Sequence, residues 1–493
     1  MVDVLLTHSY HLPYDRKQVR KMQPYPPLGT LYAAAVLQRR GFSVALFDSM
    51  LEDPERGFPE ALDQHRPKLV VIYEDNFNFL SKMCLTRMRE VAFGMIDAAK
   101  VYGSKVVVNG SDASDHSQEY LDRGATYILL GEAEVTLLEL CEFLASQSGR
   151  DVGDICGMVY RRTRGLPPVR TPARPLTRNL DQLPLPARDL IEVERYRHAW
   201  QKAHGFFSLN LVASRGCPYR CNWCAKPIYG DSYHVRSAES VALEMRELRE
   251  KFRVDHLWFA DDLFGINNRW VQEFADHVER HEAAVPFKMQ SRADLIQPRT
   301  AAALARAGCV EVWMGVESGS QKILDAMEKG IRVEQVAQAR ESLREHGIRA
   351  CYFLQFGYPG ETWADIEKTV QLVRETCPDD LGISVSYPLP GTNFHARVRE
   401  QLGAKTNWVD SEDLAMMFKG AYTSEFYRAL HDALHADVES WSAPRAWKFA
   451  LHDRAQTGSA DPRERAERWV RVQRLEQTCR NSDATQLPVL ACS

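Results

Sequence analysis

The chain has 493 residues, 45% of them hydrophobic and 26% charged, with a formal net charge of −4. That length exceeds what one hydrophobic core usually supports, so two or three domains are expected, and the lack of a basic excess speaks against a dedicated nucleic-acid binder. No run approaches the roughly 18 apolar residues of a membrane span, and MVDVLLTHSYHLPYDRK lacks the basic start of a secretion signal, so the expected compartment is the cytoplasm.

Residues 1–150 alternate strand-like and helix-like segments. VDVLLTH (2–8) is a short apolar run, PLGTLYAAAVLQRRG (27–41) is helical in pattern, and FSVALFD (42–48) is a second strand. KLVVIYED (68–75), KVVVNG (105–110) and ATYILLGE (125–132) follow, with a helical stretch to about Tyr102 and the helix EVTLLELCEFLASQ. Five β/α units with nearly all-apolar strands predict a doubly wound parallel sheet covered on both faces, with ligands at the carboxyl ends of the strands. Those ends carry His8, Asp48, Glu74 and Asp75, Asn109 to Asp112, and Gly131 to Glu134.

Residues 151–205 are rich in proline and arginine without a sustained period, and read as a linker that wraps rather than folds. From Phe206 the rhythm returns. Six strand-like runs (206–214, 256–262, 286–292, 310–318, 350–357 and 382–390) alternate with helical stretches at 237–252, 267–281, 298–307, 320–346 and 362–376. This α/β pattern suits a partial (β/α)6 barrel over 206–400, with its chemistry at the carboxyl ends of the strands. Residues 401–493 read as mainly helical, through EFYRALHDALHADVESW and RERAERWVRVQRLEQ, with a tail, NSDATQLPVLACS, expected to fray. Tyr422, Phe426, Tyr427, His431 and His435 fall at helical spacing and read as core, so no catalytic acid or base is assigned.

RGCPYRCNWC follows the first barrel-type strand and spaces Cys217, Cys221 and Cys224 as C-x3-C-x2-C. The other eight of the eleven cysteines are scattered and read as core or surface. In a reducing compartment such a cluster is metal-binding or catalytic. Zinc and iron–sulfur sites usually take four protein ligands. Three thiolates leave one iron of a [4Fe–4S] cube open, and an open metal position is where a substrate binds.

This run, with an aromatic residue before the last cysteine, resembles the signature of radical S-adenosylmethionine (SAM) enzymes. The resemblance implies that the open iron chelates SAM, which is cleaved reductively to methionine and a 5′-deoxyadenosyl radical. It also implies SAM contacts at Trp223, at Asp261 and Asp262 in FADDLF, at Arg292 in QSRAD for the carboxylate, at Glu317 and Ser318 in GVESGS for the ribose, and at Gln355 before FGYPGET. A flavodoxin or ferredoxin would supply the electron.

A doubly wound domain ahead of such a barrel, with VLLTHSYHLPYDR, YPPLGTLYAAAVLQRRGFSVALFD and LLGEAE, resembles the cobalamin-binding subclass. That subclass includes the anaerobic magnesium-protoporphyrin ester cyclase and radical SAM methyltransferases. The resemblance implies cobalamin contacts at His8, Ser9, Leu28, Gly29, Glu74, Asp75, Asn109, Gly110, Ser111, Gly131, Glu132 and Glu134. The D-x-H-x-x-G motif that supplies a lower histidine ligand is absent, so cobalamin is expected without one. The expected activity is C-methylation of a small-molecule or natural-product substrate. Oxidative ring closure on a tetrapyrrole, a radical SAM enzyme without cobalamin, and a redox-sensing iron–sulfur scaffold are the alternatives.

Overall fold

The computed structural model describes residues 2–146, 151–163, 165–441, 449 and 461–478. The tail 481–493 lies outside the described residues. The chain forms two compact units.

The first unit comprises Met1–Cys217, Lys226–Ser237 and Asn407–Glu412. Its sheet holds Val4–Thr7 (β1), Val44–Phe47 (β2), Leu69–Tyr73 (β3), Lys105–Asn109 (β4), Tyr127–Leu129 (β5), Met158–Tyr160 (β6) and Val169–Arg170 (β7), in the order β2-β1-β3-β4-β5-β6-β7. The first five strands pair in parallel. Order 2-1-3-4-5 is the flavodoxin-like variant of the doubly wound sheet, with its switch point between β1 and β3. The all-apolar strands have a direct physical reason. Val4, Leu6, Val71 and Val107 enter one core, while Leu5, Val70, Ile72, Val106 and Val108 enter another on the opposite face. Each such fully buried aliphatic side chain contributes about 1.5–3 kcal/mol.

Residues 151–205 correct the linker expectation. β6 and β7 extend the sheet antiparallel beyond β5, and Val193–His204 is a helix. The apolar run Met158–Tyr160 is too short to show a period by itself; β5 supplies the pairing that makes it a strand. The helix buries Tyr196 and Trp200, whose indole donates to the Pro24 carbonyl at 2.7 Å. Further along lie Ser208–Leu211 (β8), Ser214–Arg215 (β9) and His234–Val235 (β10), with β9 and β10 pairing antiparallel.

The second unit comprises Pro218–Ala225, Ala238–Thr406 and the described part of Asp413–Ser493. His256–Phe259 (β11), Phe287–Ser291 (β12), Cys309–Glu317 (β13), Arg349–Phe356 (β14) and Asp380–Val385 (β15) pair in parallel and in chain order. Five α-helices separate them, and each strand end opens a loop on the same edge of the sheet. The helix expected over 320–346 is two, Gln321–Ala326 and Val333–Glu345. Glu328 and Gly330 between them take positive φ, 54° and 67°, which a continuous helix cannot hold. Helices Ser424–Trp441 and Pro462–Thr478 follow, and Tyr422, Phe426 and Tyr427 are buried and packed ring on ring. Among the described residues, no helix is long and apolar enough to cross a membrane.

Candidate active site

The cysteine run lies between β9 and β10. Gly216 opens it at φ 82°, where a Cβ would collide with the Ser232 carbonyl, so glycine is required. Cys217, Cys221 and Cys224 are all half-buried and in no disulfide among the described residues, and the Cys224 N–H donates to the Cys221 carbonyl at 3.2 Å. Asn222 fastens this turn. Its backbone N–H donates to Met327 O at 3.1 Å, its Nδ2 donates to Ala326 O at 2.8 Å, and its Oδ1 accepts from the Tyr358 hydroxyl at 2.9 Å. A buried amide satisfied on both ends holds its segment in one geometry. Trp223, expected to contact SAM, packs against a cluster containing Ile323, Met327, Tyr358 and Phe394, and its Nε1 is buried without a hydrogen-bond partner among the described residues.

The strand ends of the second unit bring most of the expected SAM residues to one edge. Asp261, after β11, is buried, while Asp262 beside it is exposed. Arg292, after β12, is 4% exposed. Its Nε and one terminal nitrogen donate to the two carboxylate oxygens of Asp294, at 2.9 and 3.1 Å, and the guanidinium lies 3.7 Å over the Tyr219 ring. Its Nη1 is buried without a partner among the described residues. Orphaned cationic donors are costly unless a ligand meets them.

Glu317 ends β13 at φ 62° and is buried. It pairs with buried Lys329 at 2.7 Å. Gly315 makes room, because a Cβ there would lie 2.6 Å from the Lys329 ammonium. Burial would pull Lys329 down, but Glu317 and then the Cys221 thiol hold its pKa above the ordinary lysine value. Burial likewise opposes the charge of Arg292, and Asp294, Cys221 and Tyr219 raise its pKa. Ser318 turns inward, where its hydroxyl meets Thr369 at 3.2 Å and accepts from the Ser320 N–H at 3.1 Å. Gln355, one residue before the end of β14, donates to the Ser386 hydroxyl at 3.0 Å.

In the first unit, the β1–β3 switch point carries His8, Ser9, Glu74 and Asp75. Both His8 ring nitrogens have neighbours: Asp48 at 2.9 Å and the Ser49 hydroxyl at 3.4 Å. Asp48 also accepts from the Tyr196 hydroxyl at 2.5 Å. Glu74 accepts from the Ser9 N–H at 3.2 Å, and burial raises its pKa. Asp75 accepts from Gly29 N–H at 3.0 Å, in the first turn of the helix that begins at Leu28. Asn109 donates to the Leu129 and Gly131 carbonyls, and Gly110 leaves the space that the Glu74 side chain fills. The Ser111 hydroxyl is buried without a partner among the described residues. Glu132 and Glu134 both pair with buried Arg215, the latter at 2.8 Å, and the guanidinium is ringed by Tyr32, Phe77 and Tyr229.

Residues 211–373 match the model of the radical SAM superfamily. Those residues form a radical SAM domain. The chain is 26% identical to an uncharacterised methyltransferase of Pyrococcus horikoshii, over 82% of this chain and 88% of that one. It is 28% identical to hopanoid C-3 methylase of Methylococcus capsulatus, over 90% of this chain and 82% of that one. Among solved structures it resembles the radical SAM methyltransferase TsrM of Kitasatospora setae, described with cobalamin and a [4Fe–4S] cluster bound. That likeness has a TM-score of 0.65 at 22% identity, covers 81% of this chain and 75% of that one, and bears on the fold.

The donor set of the radical SAM domain fits its family. Three thiols outside any disulfide suit a cluster with one open iron, and the Arg292 nitrogen without a partner among the described residues suits a carboxylate. The sequence reading named the cysteines and Arg292 but not Lys329, Asn222, Asp294 or Arg215, which the structure pairs with expected site residues or packs beside them. Asn222 and Arg215 stand inside the quoted motif, so their position was a usable signal. Lys329 was hidden because the sequence pattern ran a helix through it.

Proposed function

We propose that this radical SAM enzyme is a cobalamin-dependent methyltransferase acting on an unactivated centre of a small-molecule or natural-product substrate. The observation that carries it is the presence, in one chain, of an open three-thiol loop and a flavodoxin-type sheet whose switch point ends in small and polar residues. The relatives named as methyltransferases over most of the chain support the outcome.

The residues of the first unit fit a large ligand seated on backbone and small side chains, with Ser111 offering an unpaired hydroxyl. His8 is held by Asp48 and Ser49, which agrees with a cobalt that lacks a His8 ligand. When bound, the cluster and SAM supply a hydrogen-abstracting radical, and cobalamin supplies a methyl group. Cys217, Cys221 and Cys224 would hold the cluster, and Asn222 fixes the turn that presents the last two. Arg292, aimed by Asp294 and stacked on Tyr219, orients a carboxylate through its free nitrogen. Lys329 holds the Glu317 carboxylate in place, where it can accept hydrogen bonds from a diol. Fixed placement of this kind is the protein's main contribution to such chemistry. A low-potential flavodoxin or ferredoxin would deliver the electron, and the reduced thiols suit the cytoplasm.

The test uses reduced holoenzyme and SAM carrying a deuterated methyl group. Label recovered on the corrinoid, together with 5′-deoxyadenosine, is the expected result. Label that stays in methionine, with none on the corrinoid, overturns methyl transfer and favours ring closure or another non-methylating outcome.

A further inference from the structure

We propose that the second unit carries a zinc site, distinct from the cysteine loop, formed by Glu239, His277 and His281. Glu239 stands in the first turn of helix Ala238–Phe252. His277 lies in the last turn of helix Asn268–Arg280, and His281 caps that helix. The second helix is set by an Asn267 cap, whose side chain accepts from the Arg269 N–H at 2.9 Å, and by a buried stripe of Trp270, Val271, Phe274, Ala275 and Val278. The stripe fixes the rotation of the helix. It leaves the i and i+4 histidines together on a neighbouring face, a spacing that brings two imidazoles to one point.

The two rings lie 5.7 Å apart and within 10° of parallel. One ring nitrogen of each and a Glu239 carboxylate oxygen all lie within 4.8 Å of one another. The His281–Glu239 separation is 3.2 Å and the His277–Glu239 separation is 4.0 Å. Tetrahedral zinc with nitrogen and oxygen ligands at about 2.0–2.2 Å spaces its ligands about 3.3 Å apart. One edge already matches, and the other two must shorten by side-chain rotation when the ion binds.

A simple His281–Glu239 hydrogen bond does not account for all of this. His277 Nδ1 is buried and has no hydrogen-bond partner among the described residues. A buried imidazole nitrogen left unpaired while facing a carboxylate and a second imidazole is a donor set short of its cation. The position also suits positive charge, because the carbonyl end of helix Asn268–Arg280 carries partial negative charge. Two neutral imidazoles and one carboxylate favour zinc over magnesium or calcium, which prefer all-oxygen shells. Water would complete the coordination. The two histidines are each about one-fifth exposed and Glu239 about half exposed, so zinc can enter from solvent. The ion would tie the start of one barrel helix to the end of the next.

The experiment uses cluster-loaded protein, so that the thiols of the cysteine loop are occupied, and dialyses it against zinc alone. One zinc is expected per chain. X-ray absorption at the zinc edge should show only nitrogen and oxygen neighbours at about 2.0–2.1 Å, and thermal unfolding should move upward with zinc. His277→Ala and His281→Gln should each weaken zinc binding on the order of 100-fold and abolish the thermal shift, while Glu239→Gln weakens it less. Cluster content and 5′-deoxyadenosine formation should be unchanged in all three variants, which shows that they fold. Sulfur neighbours at about 2.3 Å, zinc no higher than in buffer, or equal zinc in wild type and folded His281→Gln each overturn the proposal.

Discussion

Lys329→Met tests the site most directly, because it removes one half of a buried ion pair and leaves the other. The ammonium and the Glu317 carboxylate are 2.7 Å apart, and both side chains are about 6–7% exposed. At an effective dielectric of about 20, their attraction is ~6 kcal/mol. Desolvation of both ions offsets much of that, so the pair adds little net stability when both members are present. Truncating one member is different, because Glu317 then stays buried without a counter-charge. The expected loss is about 3–5 kcal/mol, or a proton taken up by Glu317. Either outcome removes a fixed acceptor from the end of β13. Urea unfolding of the holoenzyme should show the loss, and equilibrium dialysis of SAM should show weakened binding. The double variant Lys329→Met with Glu317→Gln should recover most of the stability but not the binding, since the buried charge is gone and so is the strong acceptor. If Lys329→Met unfolds within about 0.5 kcal/mol of wild type and binds SAM normally, the assigned role of the pair is wrong.

Arg292→Lys keeps the charge but loses the two-pronged grip on Asp294 and the spare nitrogen, so SAM affinity should fall by about 1–3 kcal/mol with cluster content unchanged. Glu361 is buried; one oxygen accepts from Gly357 N–H at 2.6 Å and the other has no partner among the described residues, and burial lifts its pKa from 4.5 to about 8. The folded state thus holds a proton that the unfolded state releases, and stability falls between about pH 4.5 and pH 8, by an amount on the order of 4 kcal/mol. Glu361→Gln should flatten that slope and be the more stable protein at the alkaline end, read from unfolding curves across pH; an unchanged slope refutes the shift. His8→Ala should leave the visible spectrum of bound cobalamin unchanged while lowering stability, because His8 serves Asp48; a spectral change at the cobalt would place His8 at the metal after all.

Spacing along the chain by itself determined the cysteine loop, since C-x3-C-x2-C is covalent and needs no partner to be read. It also determined both β/α rhythms, because strands buried on two faces must be apolar at nearly every position. Arg292 and Glu317 were legible for a related reason: each stands at the end of an apolar run, where a parallel sheet exposes its functional edge. Tertiary structure decided which of those residues are available. Glu132 and Glu134 look alike in LLGEAE as ligand-facing acids, yet Arg215, more than eighty residues away, claims both. Ser318 turns to Thr369, and Asp262 faces solvent while Asp261 does not. Lys329 enters only because the chain breaks at Glu328 and Gly330, and Gly315 leaves a gap for it. Periodicity reports which face of an element is buried. It cannot report which charge another element brings to that face, because that pairing is made across the sheet and has no trace in the local pattern.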